Sequence, residues 1–138
     1  MRLRNATQGT LLLLLSGHLA FGGVAPFGRE YRMTQAMGGD QVLPKLALGP
    51  SGGYLVFQDN RTDGDGLGIS ARRLDPNMIG AFDPFRVNSE GADDQENARV
   101  ALFPDGGAVF VWQGGPLVKQ HIYARFLRAD GTWVGNEI

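Results

Sequence analysis

The chain has no cysteine. That excludes disulfides, cysteine-ligated zinc, a thiol nucleophile and a lipobox-type lipid anchor. Histidine is scarce as well: there are two, and only His121 lies beyond the first 25 residues. No Ser/His/Asp grouping can be assembled around one histidine. An excess of either charge is also missing. The 13 basic and 14 acidic residues leave a formal net charge of −1, with no long basic run. Nucleic acid is therefore not an expected partner. Helical periodicity is absent after the N-terminus.

Glycine is abundant, with 21 residues, and there are 7 prolines. Glycine supplies positive φ and proline presets a turn, so many turns are implied. Between them sit clusters of β-branched and aromatic residues, which argues for order rather than disorder. A chain of this size without disulfides must be held by packing, metal or association.

Residues 1–25 read as a signal peptide. Met1, Arg2, Leu3 and Arg4 form a basic start, and an apolar stretch opens at Leu11. That stretch covers roughly 15 residues and is broken by Ser16, Gly17 and His18, short of the ~20 residues of a membrane span. Small residues around Ala20 and Gly22, or Gly23 and Ala25, suit a signal peptidase. The expected localisation is secreted, periplasmic or cell-surface, with no membrane association after cleavage. The mature region is 26–138.

That region reads as two copies of one unit. Residues 41–53 align without a gap on residues 95–107, an offset of 54, with Gln41 on Gln95, Pro50 on Pro104 and Gly52-Gly53 on Gly106-Gly107. Ile69, Ala71, Arg72 and Leu74 align on Ile122, Ala124, Arg125 and Leu127 at an offset of 53. Tyr31-Arg32-Met33-Thr34 falls on Phe85-Arg86-Val87-Asn88, again at 54. Internal similarity at a fixed period marks a repeat architecture. The units run over about 27–79 and 80–134, and Gly135 resembles the start of a third.

Four short strands are expected in each unit: 31–34, 45–48, 54–58 and 68–74, then 85–88, 99–103, 108–113 and 121–127. The third strand of each is nearly all apolar, as in Leu55-Val56-Phe57, which is how a strand covered on both faces reads. Pro50-Ser51-Gly52-Gly53 and Pro104-Asp105-Gly106-Gly107 read as hairpin turns.

The fold expectation is all-β: two four-stranded antiparallel blades of an incomplete β-propeller, with a β-sandwich as the alternative. The pattern Asp40-Gln41, Pro50, Gly52-Gly53, Leu55-Val56-Phe57-Gln58, Asp63-Gly64-Asp65-Gly66 and Phe85-Arg86-Val87-Asn88 resembles blade repeats of large secreted bacterial β-propeller proteins. Unit two departs from it, with residues 114–120 in place of the Asp-Gly-Asp-Gly loop. Two blades leave open edges, so a fragment of a longer chain, a homo-oligomer or a sandwich is implied.

Candidate sites are few. Asp59, Asp63 and Asp65 lie on a glycine-containing loop, and their spacing resembles positions 1, 5 and 7 of a calcium loop. They are the expected Ca²⁺ ligands. Arg61, where an oxygen ligand belongs, and the lack of a closing Glu count against them, and the alternative is a solvated turn. Arg72 with Arg125, and Arg32 with Arg86, hold equivalent positions. Converging arginines bind carboxylates bidentately; otherwise they pair between units or face solvent. Trp112, Tyr123 and Trp133 are candidates for stacking on a ligand, with Trp112 more suited to a core. Asp130-Gly131-Thr132-Trp133 resembles the Asp-box turn of sialidase-type propellers, with Arg128 where Ser or Thr belongs. Asn60-Arg61-Thr62 fits an N-glycosylation acceptor.

The function expected from this is a non-catalytic extracellular repeat module for binding, adhesion or scaffolding, with a protein or glycan ligand. The alternative is a piece of a propeller-type glycoside hydrolase or sialidase-like enzyme. No catalytic residue and no cofactor other than Ca²⁺ is expected.

Overall fold

In the computed structural model, residues 30–80 and 82–138 are described; the expected signal peptide at residues 1–25 lies outside them. All regular structure among these residues is β-strand. The strands are β1 (Gln41–Gly49), β2 (Gly52–Asp59), β3 (Gly68–Leu74), β4 (Phe85–Arg86), β5 (Gln95–Leu102), β6 (Ala108–Gly114) and β7 (His121–Leu127). They form two antiparallel sheets ordered β1-β2-β3-β4 and β5-β6-β7, neither of which closes on itself.

The turns form where glycine permits them. Gly49 faces Gly52 across the β1–β2 hairpin, and Gly52 has a φ of 103°. A side chain there is ruled out on two counts, since a Cβ would also sit 2.2 Å from the Leu74 oxygen. The β5–β6 turn is closed by Phe103 N–H donating to the Gly107 oxygen at 2.8 Å, with Gly106 at a φ of 93°.

Two expected strands differ in the structure. Residues 31–34 form a turn rather than a strand. Residues 85–88 give only the two-residue β4, which pairs with β3 through Ala71↔Phe85 and Ser70↔Arg86 and so completes the first sheet. The physical reason is the same in both cases. A strand needs an open edge to pair with, and β3 offers one to residue 85; among the described residues, no sheet precedes residue 31 to do the same. In the second sheet Ile138 takes the corresponding place, exchanging two main-chain hydrogen bonds with Ala124 at 2.8 and 3.0 Å.

Both sheets carry the same irregularity. Register shifts between Val42 and Lys45 in β1 and between Glu96 and Arg99 in β5, and Leu43 and Asn97 both adopt positive φ, 50° and 57°. Such bulges re-aim the chain and tighten its twist. Gln41 Nε2 then donates to the Gly38 and Gly39 oxygens, as Gln95 Nε2 does to those of Ala92 and Asp93.

Alternation along the strands divides the side chains between two faces. Tyr54, Val56, Ile69 and Ala71 point from the first sheet toward the second. Ala98, Phe110, Trp112 and Leu127 meet them, and all are buried in one core with Val87. Tyr54 and Phe110 touch edge to face at 5.6 Å. On the opposite face of the first sheet, Leu55, Phe57 and Leu74 form a smaller cluster against Met33 and Met37. β2 is thus covered on both faces along its whole length.

Candidate functional site

β5 approaches β1, β2 and β3 closely, while β6 and β7 stand further off. The gap that opens away from β5 is filled by aromatic rings. Phe85 lies 6.3 Å from Tyr54, 6.4 Å from Phe110 and 6.0 Å from Trp133, each edge to face. Such pairs add about 0.5–1.5 kcal/mol each beyond the area they bury.

A cleft of about 380 Å³ remains at the mouth of this wedge. Its aromatic walls come from Tyr54, Phe82, Phe85 and Trp133, and its charged groups are Arg73, Arg86 and Asp130. Arg73 lies over the Phe82 ring at 5.7 Å, a cation–π arrangement. Burial pushes the Tyr54 phenol above its ordinary pKa, and the charge of Arg73 partly offsets this. Asp130 is held below the usual carboxylate range, first by the hydrogen bond from the Thr132 hydroxyl and then by the Thr132 amide. It stays ionised. Apolar walls with a few placed charges are the ordinary composition of a ligand site.

The expected calcium ligands do not gather. Asp59 Oδ1 accepts from the amides of Arg61 and Thr62 at 2.9 and 2.8 Å and from the Thr62 hydroxyl. Asp63 Oδ2 accepts from Asn88 Nδ2 at 2.9 Å. Asp65 Oδ2 accepts from the Asp93 amide at 3.3 Å. Each carboxylate holds a different stretch of loop, and no group of three acidic or histidine side chains placed to hold a metal occurs among the described residues. Asp59 is fully buried, and its Oδ2 has no hydrogen-bond partner.

The paired arginines act as tethers. Arg72 donates to the main-chain oxygens of Met33, Gly80 and Phe82, the last two at 2.9 Å. Arg125 donates to the Val87 oxygen at 2.8 Å and stacks on Trp133 at 4.1 Å. Burial lowers the Arg125 pKa, Glu137 opposes this and Arg86 adds to it. Arg32 is exposed.

Trp112 is buried and stacks on Tyr123, with ring centres 6.0 Å apart. Trp133 is half-buried and reaches the cleft. Residues 128–132 form the expected turn: Arg128 N–H donates to the Thr132 oxygen, and Gly131 has a φ of 86°. His121 is exposed beside Tyr123. The exposed Asn60 side chain accepts from the Asp40 amide.

Of the residues singled out in the sequence, the cleft takes up Arg86, Asp130 and Trp133. Tyr54, Arg73, Phe82 and Phe85 were missed, since they lie on three separate segments and meet only once the sheets are paired. Comparison with protein-family models, curated proteins and solved structures gives no match to this chain.

Proposed function

We propose that the protein is a non-catalytic extracellular module of β-propeller-like repeats, and that it binds an acidic saccharide in the cleft between its two sheets. The observation that carries this is the cleft itself, with aromatic walls and two arginines at the junction of the sheets. Flat aromatic faces suit the apolar face of a sugar ring, and guanidinium groups suit its carboxylate.

The blade reading draws support from the wedge. The first strands, β1 and β5, lie close together and the sheets splay outward. A β-sandwich would keep its two sheets about 10 Å apart throughout. The extracellular assignment rests on the N-terminal residue pattern.

The carboxylate content of the cleft favours binding over hydrolysis. A glycosidase places a pair of carboxyl groups about the scissile bond. The lining of the cleft holds one, Asp130.

The test is a tryptophan-fluorescence titration with a glucuronate-containing oligosaccharide, beside a neutral oligosaccharide of the same length. Saturable quenching by the acidic sugar alone is expected, weakened by salt and by Arg73→Gln, with no cleavage products. No quenching by either sugar would overturn the proposal, and released product would favour the enzyme reading.

A further inference from the structure

The two sheets present equivalent faces with unequal cover. In the first sheet Ile69 is 0 % exposed and Val56 is 0 % exposed, because the second sheet lies over them. Their counterparts in the second sheet, Ile122 and Val111, occupy the same register positions opposite each other's neighbours. Yet Ile122 is 70 % exposed and Val111 is only half-buried. Gln58 Oε1 accepts from the Asn97 amide of the bulge at 2.9 Å, across the junction of the sheets. Gln113, in the place of Gln58, donates instead to Gln120 within its own sheet.

Among the described residues, the complementary surface is uncovered along β1. β5 joins the junction through Ala98, Val100 and Leu102. The corresponding residues of β1 are Pro44, Leu46 and Leu48, which face away from β5, and Leu46 and Leu48 are 48 % and 44 % exposed. The Leu43 backbone repeats the positive φ of Asn97, so its amide stands where a donor to Gln113 is needed. The chain therefore exposes the Val111–Ile122 half of the contact that its own sheets make with each other, and the β1 part of the other half, where Leu55 and Phe57 beside it are covered by Met33 and Met37.

We propose that the protein associates head to tail with a second copy of itself, the β1 face of one copy docking on the Val111–Ile122 face of the next. The occupant is specified by chemistry already present, since the buried junction shows what surface this face accepts. The contact is heterologous, with two different patches, so successive copies continue into a ring or a filament. One position departs from the internal junction. Gly49, against which Leu102 packs, is replaced by Phe103, which stacks on Phe126 with ring centres 6.3 Å apart. Leu48 of the docking copy then rests over that aromatic pair.

Two variants and their mixture test this by light scattering and sedimentation. Leu46→Asp spoils one patch and Ile122→Asp the other. Both side chains are largely exposed in the single chain, so circular dichroism should show both variants folded. Wild type is expected to assemble beyond a monomer, and each variant alone to be monomeric at the same concentration. Their equimolar mixture is expected to give a dimer that grows no further, because one intact pair of patches remains. A monomeric wild type, assembly that survives either substitution, or a mixture that stays monomeric would each overturn the proposal.

Discussion

Arg125 and Val87 are joined across the two sheets: the guanidinium Nη1 donates to the Val87 main-chain oxygen at 2.8 Å. Fifty-three residues earlier, Arg72 makes the corresponding bond to the oxygen of Met33. Between each arginine and the turn that follows it, the filling differs. A Cβ on Gly80 would meet the Arg72 guanidinium, so that space belongs to the arginine. The equivalent residue in the second sheet is Trp133, and Arg125 lies flat on its ring instead.

Replacing Arg125 with Met should destabilise the fold by about 2 kcal/mol, through the lost charged hydrogen bond and the lost cation–π contact. Urea denaturation measures this. Arg125→Lys should recover little, because an ammonium group lacks the planar fork. Arg73→Met, at an exposed position, should change stability by less than about 0.5 kcal/mol.

Ile69 and Ile122 are the same residue at the same place in their sheets, and they should respond differently. Ile69→Ala empties a buried site and should cost about 2–5 kcal/mol. Ile122→Ala, measured at a concentration where the protein is monomeric, should cost less than about 0.5 kcal/mol. Equal losses would show that the second face is covered within the single chain.

The acidic loop should not respond to calcium. Asp63 is held toward Asn88 and Asp65 toward the Asp93 amide, so the carboxylates do not form a group of three around one point. Millimolar Ca²⁺ is expected to release no heat in calorimetry and to leave the melting temperature unchanged. Asp59→Ala, by contrast, should destabilise the loop by about 1 kcal/mol, since the partly buried amides of Arg61 and Thr62 lose their acceptor.

Tyr54 should make the protein sensitive to alkali. Its folded pKa lies above the unfolded value near 10, so the native state keeps the proton longer. The contribution is complete below the unfolded pKa and is lost as pH rises through the folded one. Tyr54→Phe should therefore flatten the fall in stability above about pH 10, read from urea midpoints across that range.

Much of the fold is legible in the residue pattern, and the reasons are local. β3 and β7 begin and end where alternation places them, because Ile69, Ala71 and Ile122, Ala124 mark one face every second residue. The apolar run of β2 signals cover on both sides, as the structure has it, whereas the matching run of β6 is buried on one face and only half-buried on the other, because no second layer lies over Val109 and Val111 among the described residues. The pairing of β4 is not legible, since Phe85 carries no mark of which sheet it will join. The bulge is equally silent: Leu43 and Asn97 are unlike side chains, and neither is the glycine that positive φ favours. The cleft escapes for a related reason, because its walls come from the ends of elements that only the twist of the sheets brings together. For the acidic loop, spacing along the chain suggested convergence. The partners that Asp63 and Asp65 take, Asn88 and the Asp93 amide, lie more than twenty residues on and leave no mark in that spacing.

The placement of β4 fixes where the chain can be cut. A fragment ending near residue 80 would follow the apparent unit boundary, yet it would remove the strand that shields β3 and the Asn88 side chain that accepts from the Ile69 amide at 2.8 Å. A complete first sheet therefore needs residues from about 31 to 88, overlapping the start of its successor. During synthesis the same overlap delays completion of the first sheet until residues 85–88 have emerged.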